Sequence, residues 1–210
     1  MKDYRAIIFD LDGVICHTDK YHYSAWKQLA DEEGIYFDEE INNRLRGISR
    51  MDSLEIILEK SKKKYSKEEK EALADRKNAY YRVLLMNMSV HDLADEVRET
   101  LEELDSEYLL AIGSSSKNAK LILKQIGLED FFDVVSDGIG LVHSKPDPEV
   151  FQKAAKRLAV HPYQTLVVED AVAGIEAAKR GGFDSAAIGD ATSSPLATYK
   201  LETFSDLLRI

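Results

Sequence analysis

The chain has one cysteine, Cys16, among 210 residues. It therefore forms no internal disulfide, which suits a reducing compartment and leads to the expectation of a cytoplasmic protein. Long hydrophobic runs are missing as well. The apolar stretch near the start, Ala6-Ile7-Ile8-Phe9, is closed by Asp10; it is too short for the apolar segment of a signal peptide or for a membrane span, and no membrane partner is expected. Positive charge is scarce: 28 lysines and arginines face 38 acidic residues, a net charge of -10. That excludes a nucleic-acid partner from the expectations, because phosphate backbones call for a basic surface. A phosphorylated small molecule stays open, since a few local cations and a metal can hold it whatever the global charge. No repeat, low-complexity tract or Gly/Ser linker interrupts the chain. Its length suits one domain carrying a modest insertion, and its composition that of a soluble globular protein.

What is present is an alternation of short apolar runs and amphipathic stretches. Residues 5–9 read as a buried strand, Ile-rich and ended by Asp10-Leu11-Asp12-Gly13. Runs at 109–112, 165–168 and 186–188 end in Gly113-Ser114-Ser115-Ser116, Glu169-Asp170 and Gly189-Asp190. Val150, Phe151, Ala154, Ala155 and Leu158 line one face of a helix that Asp147 caps and Pro148 opens. Strands alternating with such helices predict an α/β fold with a doubly wound, Rossmann-like parallel sheet, helices on both faces and ligands at the carboxyl ends of the strands. The polar clusters after Phe9, Ile112 and Val168 fall there.

Residues 18–88 read differently. They hold no convincing strand. Tyr21, Ala25, Trp26, Leu29 and Ala30 share one helical face, and Leu73, Tyr80, Tyr81, Leu84 and Met88 another. Ser66-Lys67-Glu68-Glu69 is a capping box, and Ser49-Arg50-Met51-Asp52 resembles one. A helical domain at 18–88 is thus expected to be inserted in a core made of 1–17 and 89–210, with candidate hinges at 16–18 and 88–91.

Asp10 and Asp12 flank Leu11 at a strand end, where side chains two apart point the same way. Two carboxylates in one confined place resist joint ionisation unless a cation or a proton is shared. One then serves as nucleophile and metal ligand and the other shuttles a proton. A solvated Asp-Gly turn uses the same residues, so the pair by itself leaves both readings open.

Taken with Ser114, Lys145-Pro146 and Glu169-Asp170, in that order along the whole chain, the pair resembles the haloacid dehalogenase-like superfamily of phosphotransferases. The resemblance implies Asp10 as nucleophile, Asp12 as general acid/base and Lys145 as the cation that contacts nucleophile and phosphate. It implies Mg2+ as cofactor, on Asp10, the backbone carbonyl of Asp12 and Asp170, with Glu169 assisting the metal or its water. Ser114 matches the hydroxyl that binds phosphate, at the start of a run, Ser115-Ser116-Lys117-Asn118, that opens a helix suited to an anion. In this superfamily an inserted helical domain caps the active site. Here Tyr21-His22-Tyr23-Ser24-Ala25-Trp26, Arg46-Gly47-Ile48-Ser49-Arg50 and Arg76-Lys77-Asn78 look like the cap of the bacterial β-phosphoglucomutase family.

That likeness implies interconversion of β-glucose 1-phosphate and glucose 6-phosphate through an aspartyl phosphate and β-glucose 1,6-bisphosphate. The partner is then a small sugar phosphate and the protein a monomer. Arg50 matches the arginine that grips the phosphate not being transferred, His22 a histidine that couples substrate to closure, and Thr18 a hinge threonine. Lys77 and Asn78 match sugar-facing residues, and Gly47, Ser115, Ser116, Lys117 and Asn118 join the substrate-binding set. Trp26 and Tyr80 read from the helix pattern as packing residues, and Trp26 is also placed with the substrate-binding set. Cys16 and His17 stand where the family usually has Thr and Asp, and Asp92-Leu93-Ala94-Asp95 lacks the usual Pro-Gly. A sugar-phosphate phosphatase with the same nucleophile is the alternative; a non-catalytic binding protein is disfavoured by the intact Asp10, Asp12, Lys145 and Asp170.

Overall fold

A computed structural model describes residues 3–45 and 47–210. Strands β1 (Ala6–Phe9), β2 (Leu109–Gly113), β3 (Val134–Ser136), β4 (Thr165–Glu169), β5 (Asp184–Ala187) and β6 (Tyr199–Lys200) make one sheet in the order β3-β2-β1-β4-β5-β6. Every pairing is parallel. Parallel strands are covered on both faces, which is why β1 and β4 read as unbroken apolar runs. Ile7 and Phe9 point to one layer, with Leu101 and Leu104 of helix α5 (Asp95–Asp105) and Ile122 and Leu123 of α6 (Ala119–Gln125). Ala6 and Ile8 point to the other, with Val150, Phe151 and Ala154 of α7 (Glu149–Arg157) and Ala177 and Ala178 of α8 (Val172–Gly181). This is the period of two of a strand.

Register places the site. Phe9 pairs with Ile112 on one side and Val168 on the other. The next residues, Asp10, Gly113-Ser114 and Glu169-Asp170, therefore leave the sheet side by side. The chain winds from β1 outward to β3 and then restarts at β4 on the opposite flank, so this carboxyl edge is the switch point where open sheets bind ligands.

Between β1 and α5 run α1 (Asp19–Glu32), α2 (Glu39–Asn43), α3 (Arg50–Leu58) and α4 (Lys67–Leu85). They enclose a core of their own, built on Trp26, Leu29, Phe37, Ile41, Leu54, Ile57 and Leu73. The Ser66 capping box forms, and the Ser49 hydroxyl accepts the Asp52 amide at 3.2 Å. Three readings need correction. Strands β3 and β6 carried no sequence signal. Pro148 is the N-cap of α7 rather than its first residue, with Asp147 accepting the Glu149 amide at 2.9 Å from one position earlier. The expected strand at 186–188 lies instead at Asp184–Ala187.

Candidate active site

Asp10 follows β1 and its amide donates to the Val168 carbonyl at 2.9 Å, which ties the residue to β4. Its carboxylate is buried and accepts from the Lys145 ammonium. Lys145 also donates to Glu169 at 2.5 Å and lies 4.8 Å above the Phe151 ring. Glu169 uses its second oxygen to accept the Ala171 amide at 3.0 Å. Burial alone would push Lys145 down, but Asp10 and Glu169 more than offset this and hold it above the usual lysine range. Asp10 is pushed well above the usual carboxylate range, first by burial and then, against the pull of Lys145, by Glu169, Asp170 and Asp12. More positive charge beside the lysine would favour the anionic form of so crowded a carboxylate.

Asp12 has a different partner. The Thr18 hydroxyl donates to it, and the turn between them closes through Gly13 N to Cys16 O at 2.7 Å. Burial raises the Asp12 carboxyl, Thr18 opposes and Asp19 adds to the rise. A carboxyl so placed exchanges a proton nearer neutral pH than a solvated one. Gly13 has φ of 98°, and a Cβ there would stand 2.1 Å from Asp170 Oδ2, so only glycine lets this backbone approach that carboxylate. The turn's backbone bonds use the carbonyls of Leu11 and Cys16 and leave that of Asp12 outside them. Among the described residues, no three His, Cys, Asp or Glu side chains form a ready-made metal cage.

After β2, Ser114 Oγ accepts the Ser116 amide at 3.1 Å and Ser116 Oγ the Asn118 amide at 3.2 Å. The Asn118 side chain crosses to the insertion, donating to Asn78 at 2.8 Å and accepting from Arg82 at 3.1 Å. On the facing wall, the Lys77 ammonium meets His22 Nδ1 at 2.9 Å between the rings of Trp26 and Tyr81, 4.7 and 4.6 Å away. Burial, with Arg50 nearby, drives Lys77 well below its usual range; burial, then Lys77 and Arg50, does the same to His22. Arg50 opens α3, 3.9 Å from the exposed Asp75. Two further contacts join the insertion to the core: Ser144 Oγ donates to Asp52 at 3.1 Å, and a Cβ on Gly47 would sit 3.3 Å from that of Ala171.

These walls enclose a cavity of ≈ 550 Å³. Asp10, Asp12, Lys145, Glu169 and Asp170 line it, as do His22, Trp26, Gly47, Arg50, Lys77, Asn78 and the run Ser114 to Asn118. Thr18 does not: fully buried behind Asp12, it holds that carboxylate instead of facing a substrate. Glu169, expected near the metal, has both oxygens on protein donors and positions Lys145. Arg46 lies outside the described residues. Sequence reasoning missed Ser144, Tyr81 as a cavity residue, and Gly174, whose Cβ would be 2.0 Å from the Glu169 carboxylate. A glycine in the first turn of a helix was the one available sign of the last.

Residues 4–182 match the family model for haloacid dehalogenase-like hydrolases, and the chain belongs to that family. Within it, the chain is 39% identical over 206 residues to a β-phosphoglucomutase of Bacillus subtilis, covering 97% of this chain and 91% of that protein. It is 32% identical over 184 residues to a phosphorylated carbohydrates phosphatase of Thermotoga maritima, covering 85% and 82%. A crystal structure of β-phosphoglucomutase from Clostridium difficile shares the fold with a TM-score of 0.91 at 39% identity, over 97% of this chain and 93% of that one.

Proposed function

We propose that this protein is a β-phosphoglucomutase, interconverting β-glucose 1-phosphate and glucose 6-phosphate through β-glucose 1,6-bisphosphate. The observation that supports this reading is a cavity lined by anion-binding groups from both segments: Lys145 and the Ser114 run of the core, and Arg50 of the insertion. A hexose bisphosphate needs both ends at once, and reorienting it lets either phosphate reach Asp10. Residues 18–88 then act as the cap that closes on the core 1–17 and 89–210.

An Asp10 oxygen attacks phosphorus and the bond to the sugar oxygen breaks, leaving an aspartyl phosphate. Asp12 gives its proton to the departing oxygen and takes one from the hydroxyl that later attacks the aspartyl phosphate. Lys145 stays charged throughout and neutralises Asp10 and the incoming phosphate. The donor set fits Mg2+: hard oxygens in excess of cations, with the Asp10 and Asp170 carboxylates and the Asp12 carbonyl, which the turn's backbone bonds do not use, as its holders. When bound, the ion supplies positive charge that lets a carboxylate and a phosphate dianion meet. Closure of the cap excludes water, so that a sugar hydroxyl is the acceptor.

The test is to incubate the protein with β-glucose 1-phosphate, Mg2+ and a trace of bisphosphate, and to measure glucose 6-phosphate and inorganic phosphate together. Glucose 6-phosphate is expected. Inorganic phosphate in its place would overturn the reading in favour of a sugar-phosphate phosphatase.

A further inference from the structure

Arg82 stands outside the cavity lining, yet it bonds a residue that belongs to it. It follows Asn78 by one turn of α4, so the two side chains share a helix face. Both close on the carboxamide of Asn118, a residue only 5% exposed. Arg82 Nη1 donates to Asn118 Oδ1 at 3.1 Å, and Asn118 Nδ2 donates to Asn78 Oδ1 at 2.8 Å. The main-chain amide of Asn118 is held separately, by Ser116 Oγ at 3.2 Å.

A carboxamide has an acceptor end and a donor end of nearly the same shape, so packing alone does not decide which way round it sits. A guanidinium decides it, because it only donates. With Asn118 Oδ1 committed to Arg82, its nitrogen must turn to Asn78, and Asn78 must meet that nitrogen with its oxygen. The pairing uses a single hydrogen of the two NH2 groups and leaves the rest to the cavity that both residues line. Turned end for end, the same two side chains would offer carbonyl oxygens there. A phosphate dianion has only acceptors, so for a sugar phosphate the two orientations differ in sign.

We propose that Arg82 is a positioning residue for sugar-phosphate binding: it sets the orientation of Asn118 directly and of Asn78 through Asn118, so that both offer N–H groups to the substrate. It does so without touching the ligand. Its effect falls on binding and not on the chemical step, because the same hydrogen bonds serve ground state and transition state alike. This inference rests on the reading of Asn78 and Asn118 as substrate-binding residues in the proposed reaction.

The experiment measures KM and kcat for β-glucose 1-phosphate in the parent, Arg82→Lys, Arg82→Met and Arg82→Glu, and in Asn118→Ala with and without Arg82→Glu. Position 82 is exposed, so these changes leave the fold intact, and the order of the variants is what is read. Lysine also only donates and should keep KM near the parent's. Methionine keeps the stem but has no donor; both orientations become populated, and KM should rise about twofold. Glutamate only accepts, which turns both amides the wrong way round, and KM should rise about tenfold or more. The change should fall on KM throughout, with kcat little altered. Plain repulsion between a carboxylate at 82 and the phosphate would persist without the amide, whereas an effect carried by the amide vanishes with it; in the Asn118→Ala background Arg82→Glu should therefore add little. The same KM in Arg82→Met and Arg82→Glu, an equal penalty from Arg82→Glu with and without Asn118, or a change confined to kcat would each overturn the proposal. Turnover is read as whichever product the parent forms. A parent that yields only inorganic phosphate overturns the mutase reading and leaves the Arg82 comparison intact, because a mutase and a phosphatase must both bind the sugar phosphate.

Discussion

At the scale of single residues, Lys145 decides how the site behaves. Its ammonium bridges Asp10 and Glu169, so the Asp10 carboxylate is pinned in place and partly neutralised before any substrate arrives. Asp10→Asn keeps the shape but removes the carboxylate proposed to attack phosphorus; turnover should be abolished with the fold intact, as circular dichroism and product assay on the same sample would show. Retained turnover would remove Asp10 from its role. Among the described residues Arg50 has a long ion pair, 3.9 Å, to the exposed Asp75, and its guanidinium fork has the geometry to grip a phosphate. Arg50→Ala should cripple conversion of β-glucose 1-phosphate yet spare slow hydrolysis of acetyl phosphate, which has no second phosphate; Arg50→Lys should recover part of the loss. An equal loss on both substrates would refute a grip on the distal phosphate. Asp10, Ser114, Lys145 and Asp170 were legible because each follows a strand or precedes a proline in a recognisable order. The pairing of Glu169 with Lys145 and the place of Tyr81 in the cavity wall were not, because both depend on approaches between distant segments that one-dimensional spacing does not encode.

Among the elements, β1, β2 and β4 were readable as apolar runs because burial on both faces favours apolar residues along their middles, with polar ones such as Glu169 at their ends. β3 and β6, three and two residues long, are too short to show any period. Helix α7 began one residue late because the Asp147 side chain, not a helical turn, satisfies its first amide. Glu149 in that first turn does more than favour the helix dipole. Its carboxylate pairs with Lys153 at 2.6 Å and accepts the amides of His143 at 2.8 Å and Val142 at 2.9 Å, anchoring the loop that leads into Lys145. Lys153 first, then the His143 amide, hold its carboxyl at about 2, below the ordinary 4.5. A depressed folded value means stability that is complete above the ordinary value and lost as pH falls through the folded one. Melting temperatures of the parent and Glu149→Gln should thus differ at pH 6 and converge on acidification from about 4.5 towards 2. A gap that did not vary with pH would disprove the anchor.

For the molecule as a whole, Asn118 of the core is a bridge to the insertion, held by Asn78 and Arg82. Each such bond is worth about 1 kcal/mol net, a contribution that a bound substrate can outweigh if the insertion moves as a cap. Asn118→Ala should raise KM for the sugar phosphate and increase the share of inorganic phosphate among the products; an unchanged product ratio would mean that this bridge does not keep water out. Removing divalent metal with excess chelator should stop turnover and Mg2+ should restore it, because otherwise Asp10, Asp12, Glu169 and Asp170 outnumber Lys145 where a phosphate has to sit. Full activity in chelator would contradict the metal's part. The composition adds a convenience. The chain has one tryptophan, and it stands in the cavity wall beneath Lys77. Indole emission from this protein therefore comes from a single point inside the site, and a ligand that draws the lysine away from the ring, or dries the cavity, should change intensity and colour without any added dye.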